Sequence, residues 1–251
     1  MSDVAEASAP ALPLFYRDLT PLSLEAHANW RLVEGDLAFA ADTPYVPIVV
    51  SEFAPAARSF PIVFAADDAT PIAVLGLERR NLFLDGATWE PDVYLPAYVR
   101  RYPFGFLQTD RPGTFALAID AGSDRVASSG NKGAAFFEKG KPTEFTQNAL
   151  GFCDAFQREA SDTIDFAKAL RQKELLVDQR ADATLPDGRT LGLDGFQVVD
   201  SEKFTKLDAG TIVEWHNKGW LAFVHFHLAS LDRFGALLAR QSEREKQSSA
   251  A

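Results

Sequence analysis

Residues 143 to 175 read T-E-F-T-Q-N-A-L-G-F-C-D-A-F-Q-R-E-A-S-D-T-I-D-F-A-K-A-L-R-Q-K-E-L, the clearest periodic signal in the chain. Phe145, Ala149, Phe152, Phe156, Ala160, Thr163, Ala167 and Leu170 recur at steps of three and four, which sets them on one stripe of an α-helix. A helix from about Thr143 to Leu175 would be roughly 50 Å long at ~1.5 Å per residue, and Ser161 marks where so long an element would break.

Upstream, the signals are those of strands. Pro61 to Ala65 and Pro71 to Leu77 are apolar on both sides and separated by Asp67-Asp68, the pattern of two buried antiparallel strands. Asn81 to Leu84 continues them before the Asp85-Gly86 turn. Leu37 to Ala40 and Val46 to Val50 read as short extended runs, and Ser51 as the cap of a short helix carrying Glu52 to Arg58. Further upstream, Thr20-Pro21 or Ser23 opens a short helix through Leu24 and His27. Phe115 to Asp120 is a strand, followed by a loop over Ala121 to Gly133.

Downstream, Leu185 to Leu191 signals a hairpin with Asp187-Gly188 at its turn, and Phe196 to Val199 a strand. Asp200 caps a short helix over Phe204 and Leu207. Asp208 and Gly219 frame another carrying Ile212 and Trp215. Trp220 to Leu228 reads as a buried strand, and Ser230 as the cap of a terminal helix with Leu231, Phe234, Leu237 and Leu238 inward. No repeat or linker divides the chain. The expectation is an α+β fold in a single compact domain: a mixed or antiparallel sheet, one long amphipathic helix and a C-terminal helix. Residues 1–13 form a disordered lead-in, 14–240 the domain and 241–251 a polar tail.

Hydrophobic residues make up 47% of the 251, enough for a substantial core. A net charge of -10 argues against non-specific nucleic-acid binding, which needs clustered Lys and Arg. Cys153 is the single cysteine, so no intramolecular disulfide or multi-cysteine zinc site can form. The opening M-S-D-V-A-E-A-S-A-P lacks the basic and apolar regions of a secretory signal, and no run of eighteen apolar residues occurs. A soluble, cytoplasmic protein without a membrane span is expected.

Tyr94 to Phe106, Y-L-P-A-Y-V-R-R-Y-P-F-G-F, combines rigid aromatic anchors with fixed positive charge. Arg100 and Arg101 can offer forked donors to a carboxylate or phosphate, while Tyr94, Tyr98 and Tyr102 stack on a ring. With Trp89 and Phe104 these form the candidate ligand site, for a small molecule or a protein partner. The bland alternative is a loop locked onto the core. His225 and His227, alternate residues of the expected strand, share a face and are the candidate metal pair, with His216 or Glu214 approaching; hydrogen-bonded core histidines are the alternative. Cys153 reads as an inert buried thiol. Glu52 is either a buried carboxylate near Tyr94 to Phe106 or, the preferred reading, a first-turn acid favouring a helix dipole. No nucleophile elbow, dinucleotide fingerprint or phosphate loop is present, no catalytic set is assigned, and no cofactor is expected.

Several blocks taken together resemble the bacterial SapC family: P-L-F-Y-R-D-L-T-P-L-S from Pro13, V-P-I-V-V-S-E-F from Val46, F-P-I-V-F from Phe60, Trp89 with Y-L-P-A-Y-V-R-R-Y-P-F from Tyr94, and H-F-H-L-A-S-L from His225. They are collinear from about residue 12 to 240. The resemblance implies an association with surface-layer arrays or with gene neighbourhoods of TonB-dependent receptors and flavin-dependent halogenase-like proteins, and no shared reaction. The function expected is an accessory or ligand-binding role in envelope nutrient uptake. A metal-assisted enzyme at His225 and His227 and a structural surface-layer protein are the alternatives.

Overall fold

The stripe that begins at Phe145 lies on one unbroken helix, Glu144–Gln172, with no interruption at Ser161. The computed structural model describes residues 12–111, 113–184 and 188–249. Most of the expected lead-in, and Asp187 of the expected hairpin turn, lie outside these. The long helix starts at Thr143, whose hydroxyl accepts from the Thr146 N–H at 3.3 Å. It ends in a Schellman turn: Glu174 takes the left-handed region at φ 51°, and the Leu175 N–H returns to the Leu170 carbonyl at 3.0 Å. Leu175 is fully buried there.

The chain forms two compact units, each discontinuous in sequence. One comprises the chain up to Gly35 with Arg101–Cys153, the other Asp36–Arg100 with the chain from Asp154. The class is α+β, with antiparallel sheets in both.

In the first unit, Phe115–Asp120 is the centre of a three-stranded sheet between Leu19–Pro21 and Phe104–Gln108, with Leu19 opposite Asp120 and Phe104 opposite Ile119. Its core gathers Phe104, Ile119, Phe136 and Cys153, with Trp30 and Phe145 packed around them. Burial pushes the Cys153 thiol up to about 11, so it is protonated at neutral pH. Ser23 caps the short helix Leu24–His27, and the Thr20-Pro21 alternative falls inside a strand. Gly105 faces the Tyr16 ring, where an added Cβ would sit 3.3 Å from the phenolic oxygen.

In the second unit, a five-stranded antiparallel sheet runs in the order Leu176–Thr184, Thr190–Val199, Ile62–Ala65, Pro71–Val74, Tyr45–Pro47. The pair around Asp67-Asp68 therefore forms as expected. Phe64 from this sheet meets Phe53 and Phe166, which in turn meet Phe223, Trp215 and Trp220 in one aromatic cluster. Leu37 to Ala40 is a single 3₁₀ turn at Ala38–Ala40 rather than a strand. Asp200 and Asp208 cap their helices as expected, Ser201–Thr205 and Ala209–Asn217.

The segment expected as a strand over Trp220 to Leu228 is the helix Trp220–Ser230. A continuously apolar run has no alternation to separate a buried strand from a buried helix, and its packing against sheet and helices decided the outcome. Ser230 consequently ends this helix rather than capping the next one. The last helix, Arg233–Ser249, also continues well past Gln241. Its polar residues are docked: Arg240 holds Glu90 at 3.0 Å, Gln241 reaches Glu78 at 3.0 Å, and Arg244 donates to the Leu84 carbonyl.

Candidate functional site

Two of the predicted site residues, Tyr94 and Tyr102, are held by buried carboxylates, Glu52 and Asp120. Val49 is extended and leads into a 3₁₀ turn, Val50–Glu52, continued by the short helix Phe53–Ala56, so Ser51 lies inside the turn and caps nothing. Glu52 is 3% exposed and is not a dipole partner at a helix rim, correcting the preferred reading. Its Oε2 accepts from the Val49 N–H at 3.0 Å, and its Oε1 from the Tyr94 hydroxyl at 2.9 Å and the Ala97 N–H at 2.7 Å. Three donors on one carboxylate satisfy a group that burial would otherwise penalise. Burial and the neighbouring Glu52 raise the Tyr94 phenol to about 12.

This contact fixes the short helix Ala97–Arg100. Arg100 turns back, donating to the Leu95 carbonyl at 3.0 Å and to the Tyr94 hydroxyl at 3.2 Å. Tyr98 is buried and packs edge-on to Phe156 of the long helix. Trp89 is a core residue between Phe60 and Phe83, with its indole N–H on the Val93 carbonyl.

The remaining predicted residues belong to the first unit. Tyr102 is buried and donates to Asp120 Oδ2 at 2.8 Å, and its phenol is raised by burial. Asp120 Oδ1 accepts from the N–H groups of Arg17, Asp18 and Gly122 at 2.7–3.2 Å. Arg101 lies over the Tyr16 ring at 5.8 Å, Tyr16 meets the Tyr102 ring, and Phe104 is in the core.

His225 and His227 do not share a face. On a helix, residues two apart point in widely different directions. His225 is exposed and edge-on to Phe204, whereas His227 is fully buried. The His227 Nε2 accepts the Val199 N–H at 3.0 Å, so Nδ1 carries the proton and donates to the Ile62 carbonyl at 2.8 Å. The ladder between these strands pairs Phe196 with Ala65 and Gln197 with Phe64, and the same register carried onward would pair Val199 with Ile62. The imidazole bridges the two groups where the strands separate. Ser230, one turn further along, accepts the Ile62 N–H at 2.9 Å. Both nitrogens of His227 are thus used by the fold, and burial lowers its pKa to about 4.

Beside Glu52 opens a cleft of about 550 Å³ in the second unit, the size of a small-molecule site. One wall is the long helix from Phe156 through Ala160, Ile164 and Ala167 to Lys168 and Arg171. The other is Pro47 to Val49 with Asp67 to Pro71, and Tyr98 lines it next to Phe156. Thr163 ties the walls together: its hydroxyl accepts the Val50 N–H at 3.0 Å and donates to the Glu159 carbonyl. Arg171 closes the far end, donating to the carbonyls of Ala66 and Asp67 at 3.1 and 2.7 Å. Of the residues predicted from sequence, Tyr98 lines this cleft. Sequence reasoning missed Ile164, Lys168 and Arg171. The available signal was Ile164, an apolar residue outside the core stripe that is 54% exposed.

The second unit thus carries an apolar cleft, two of whose lining segments, at Val49 and at Tyr98, adjoin the amides held by the buried Glu52 carboxylate. The SapC family model matches residues 22–237, and the chain belongs to the SapC family. No curated protein and no solved structure matches it. No helix among the described residues is long and apolar enough to cross a membrane, and no group of three or more His, Cys, Asp or Glu is placed there to hold a metal.

Proposed function

We propose that this protein is a soluble, cytoplasmic accessory protein that binds a small molecule in the cleft beside Glu52 and serves envelope nutrient uptake of the TonB-dependent kind. The observation that carries the binding reading is the cleft itself: about 550 Å³, mostly apolar, and reached by Tyr98 from the segment singled out by composition. The uptake context is what membership of the SapC family suggests. The test is fluorescence titration with the neutral probe N-phenyl-1-naphthylamine. Uptake by the intact protein, and at least tenfold weaker uptake by a folded Ile164→Asp variant, is expected. Equal titration curves would remove the cleft from the reading.

A further inference from the structure

The cleft is polarised along its length. Phe156 and Lys168 lie twelve residues apart on one helix, about 18 Å at ~1.5 Å per residue. Tyr98 and Phe156 make one end apolar, and Ile48, Ala160 and Ile164 continue that surface. Lys168 and Arg171 stand one helical turn apart at the other end.

Asp67 and Asp68 stand at the same end, where the Arg171 charge favours the Asp68 carboxylate, and oxygens of both are engaged in their own turn. Asp67 Oδ1 accepts the Asp68 N–H at 2.9 Å, and Asp68 accepts both the N–H and the hydroxyl of Thr70 at 2.8 and 2.7 Å. The Lys168 ammonium has one loose ion pair, to Asp165 at 3.7 Å, with both side chains about two-thirds exposed. Such a pair is weak and easily exchanged. Arg171 spends a single nitrogen on its two carbonyls, leaving the rest of a five-donor fork.

Resting on the cleft as the binding site, we infer that its ligand is a single-chain amphiphile with an anionic carboxylate head: the chain lies along Ile48, Ala160 and Ile164, and the head is received by Lys168 and Arg171. Tyr98 and Phe156 close the chain end, so the site selects for an elongated molecule rather than a compact polar one.

The experiment is displacement of N-phenyl-1-naphthylamine from the full chain by decanoate, decanol and decyltrimethylammonium at low salt. Decanoate should displace the probe about 3–10-fold more effectively than decanol and more effectively still than the cation, and moderate salt should narrow the gap. Lys168→Glu should abolish the preference for decanoate over decanol, and a preference that survives this substitution overturns the role of Lys168 in receiving the head. Lys168→Gln should weaken decanoate without reversing the order. Equal displacement by decanoate and decanol, or preference for the cation, overturns the anionic head and leaves the cleft in place. Failure of all three, together with a probe signal indifferent to Ile164→Asp, overturns both inferences.

Discussion

Glu52 and Asp120 are both buried carboxylates, each taking one tyrosine hydroxyl and several backbone N–H groups, and they stand in different units. In neither case does a cation supply the nearest contact; oriented amides and a phenol do. Asp120 takes three amides and joins Arg17 and Asp18 to the sheet and Tyr102, within the first unit. Glu52 takes two and joins Val49 to Ala97, and the residues adjoining those amides, Val49 and Tyr98, are walls of the cleft. One device thus closes a core in the first unit and holds a cavity open in the second. The blocks that suggested the family are the ones these groups join: P-L-F-Y-R-D to Asp120 and Tyr102, V-P-I-V-V-S-E-F to Y-L-P-A-Y, and, through His227 and Ser230, F-P-I-V-F to H-F-H-L-A-S-L.

The sharpest way to break the comparison is Asp120→Ala, which strands a buried hydroxyl and three N–H groups. A loss of about 3–5 kcal/mol in urea unfolding is expected, with probe binding in the still-folded fraction unchanged. A loss below ~1 kcal/mol would mean that water or a rearranged loop satisfies those donors.

His227 extends the comparison to a group kept neutral. Its folded pKa of about 4 lies below the ordinary 6.5, so between these values the unfolded chain binds the proton that the native state refuses. The contribution is complete above pH 6.5 and is lost as pH falls toward 4. Over that window roughly 3 kcal/mol of stability should disappear. The check is urea unfolding at a series of pH values, in which His227→Gln should flatten this slope while lowering stability at neutral pH.

Glu52→Gln should cost less, about 2 kcal/mol, since the amide keeps one oxygen acceptor but turns its NH₂ toward an existing donor. The difference from Asp120 lies in the second readout. Probe binding should weaken severalfold because Val49 and Tyr98 lose their common tether. Unchanged binding in a destabilised Glu52→Gln protein would make Glu52 a core residue like Asp120.

The elements with local signals were legible. The 3.6-residue stripe gave the long helix, Asp200 and Asp208 gave two caps, and the Asp67-Asp68 turn between apolar runs gave the central strand pair. Trp220–Ser230 was not, because an apolar run carries no period, and with it went the shared face of His225 and His227. The one-turn spacing of His227 and Ser230 was the overlooked signal that both serve one strand edge. Glu52 was misjudged since its three donors come from both sides in sequence, up to Ala97, and no local pattern announces such a meeting. The cleft was legible only in Tyr98, for its cationic end is assembled from helix positions that look like ordinary surface.

The smallest effect compares the two phenols directly. Tyr94 and Tyr102 are both raised above the ordinary value of 10 by burial, Tyr94 to about 12, where Glu52 also opposes the phenolate and Arg100 partly favours it. A raised folded pKa means that stability is intact below pH 10 and declines as pH climbs toward 12. Tyr94 is half-buried, and solvent screens much of this, so the readout of choice is the titration itself. In an ultraviolet titration of the five tyrosines, Tyr94→Phe should remove a late component near pH 12 and cost about 1 kcal/mol at neutral pH. Tyr102→Phe should leave that component in place. If the late component vanishes with Tyr102 instead, the more strongly opposed phenol sits on Asp120, and the assignment of the two carboxylate devices must be exchanged.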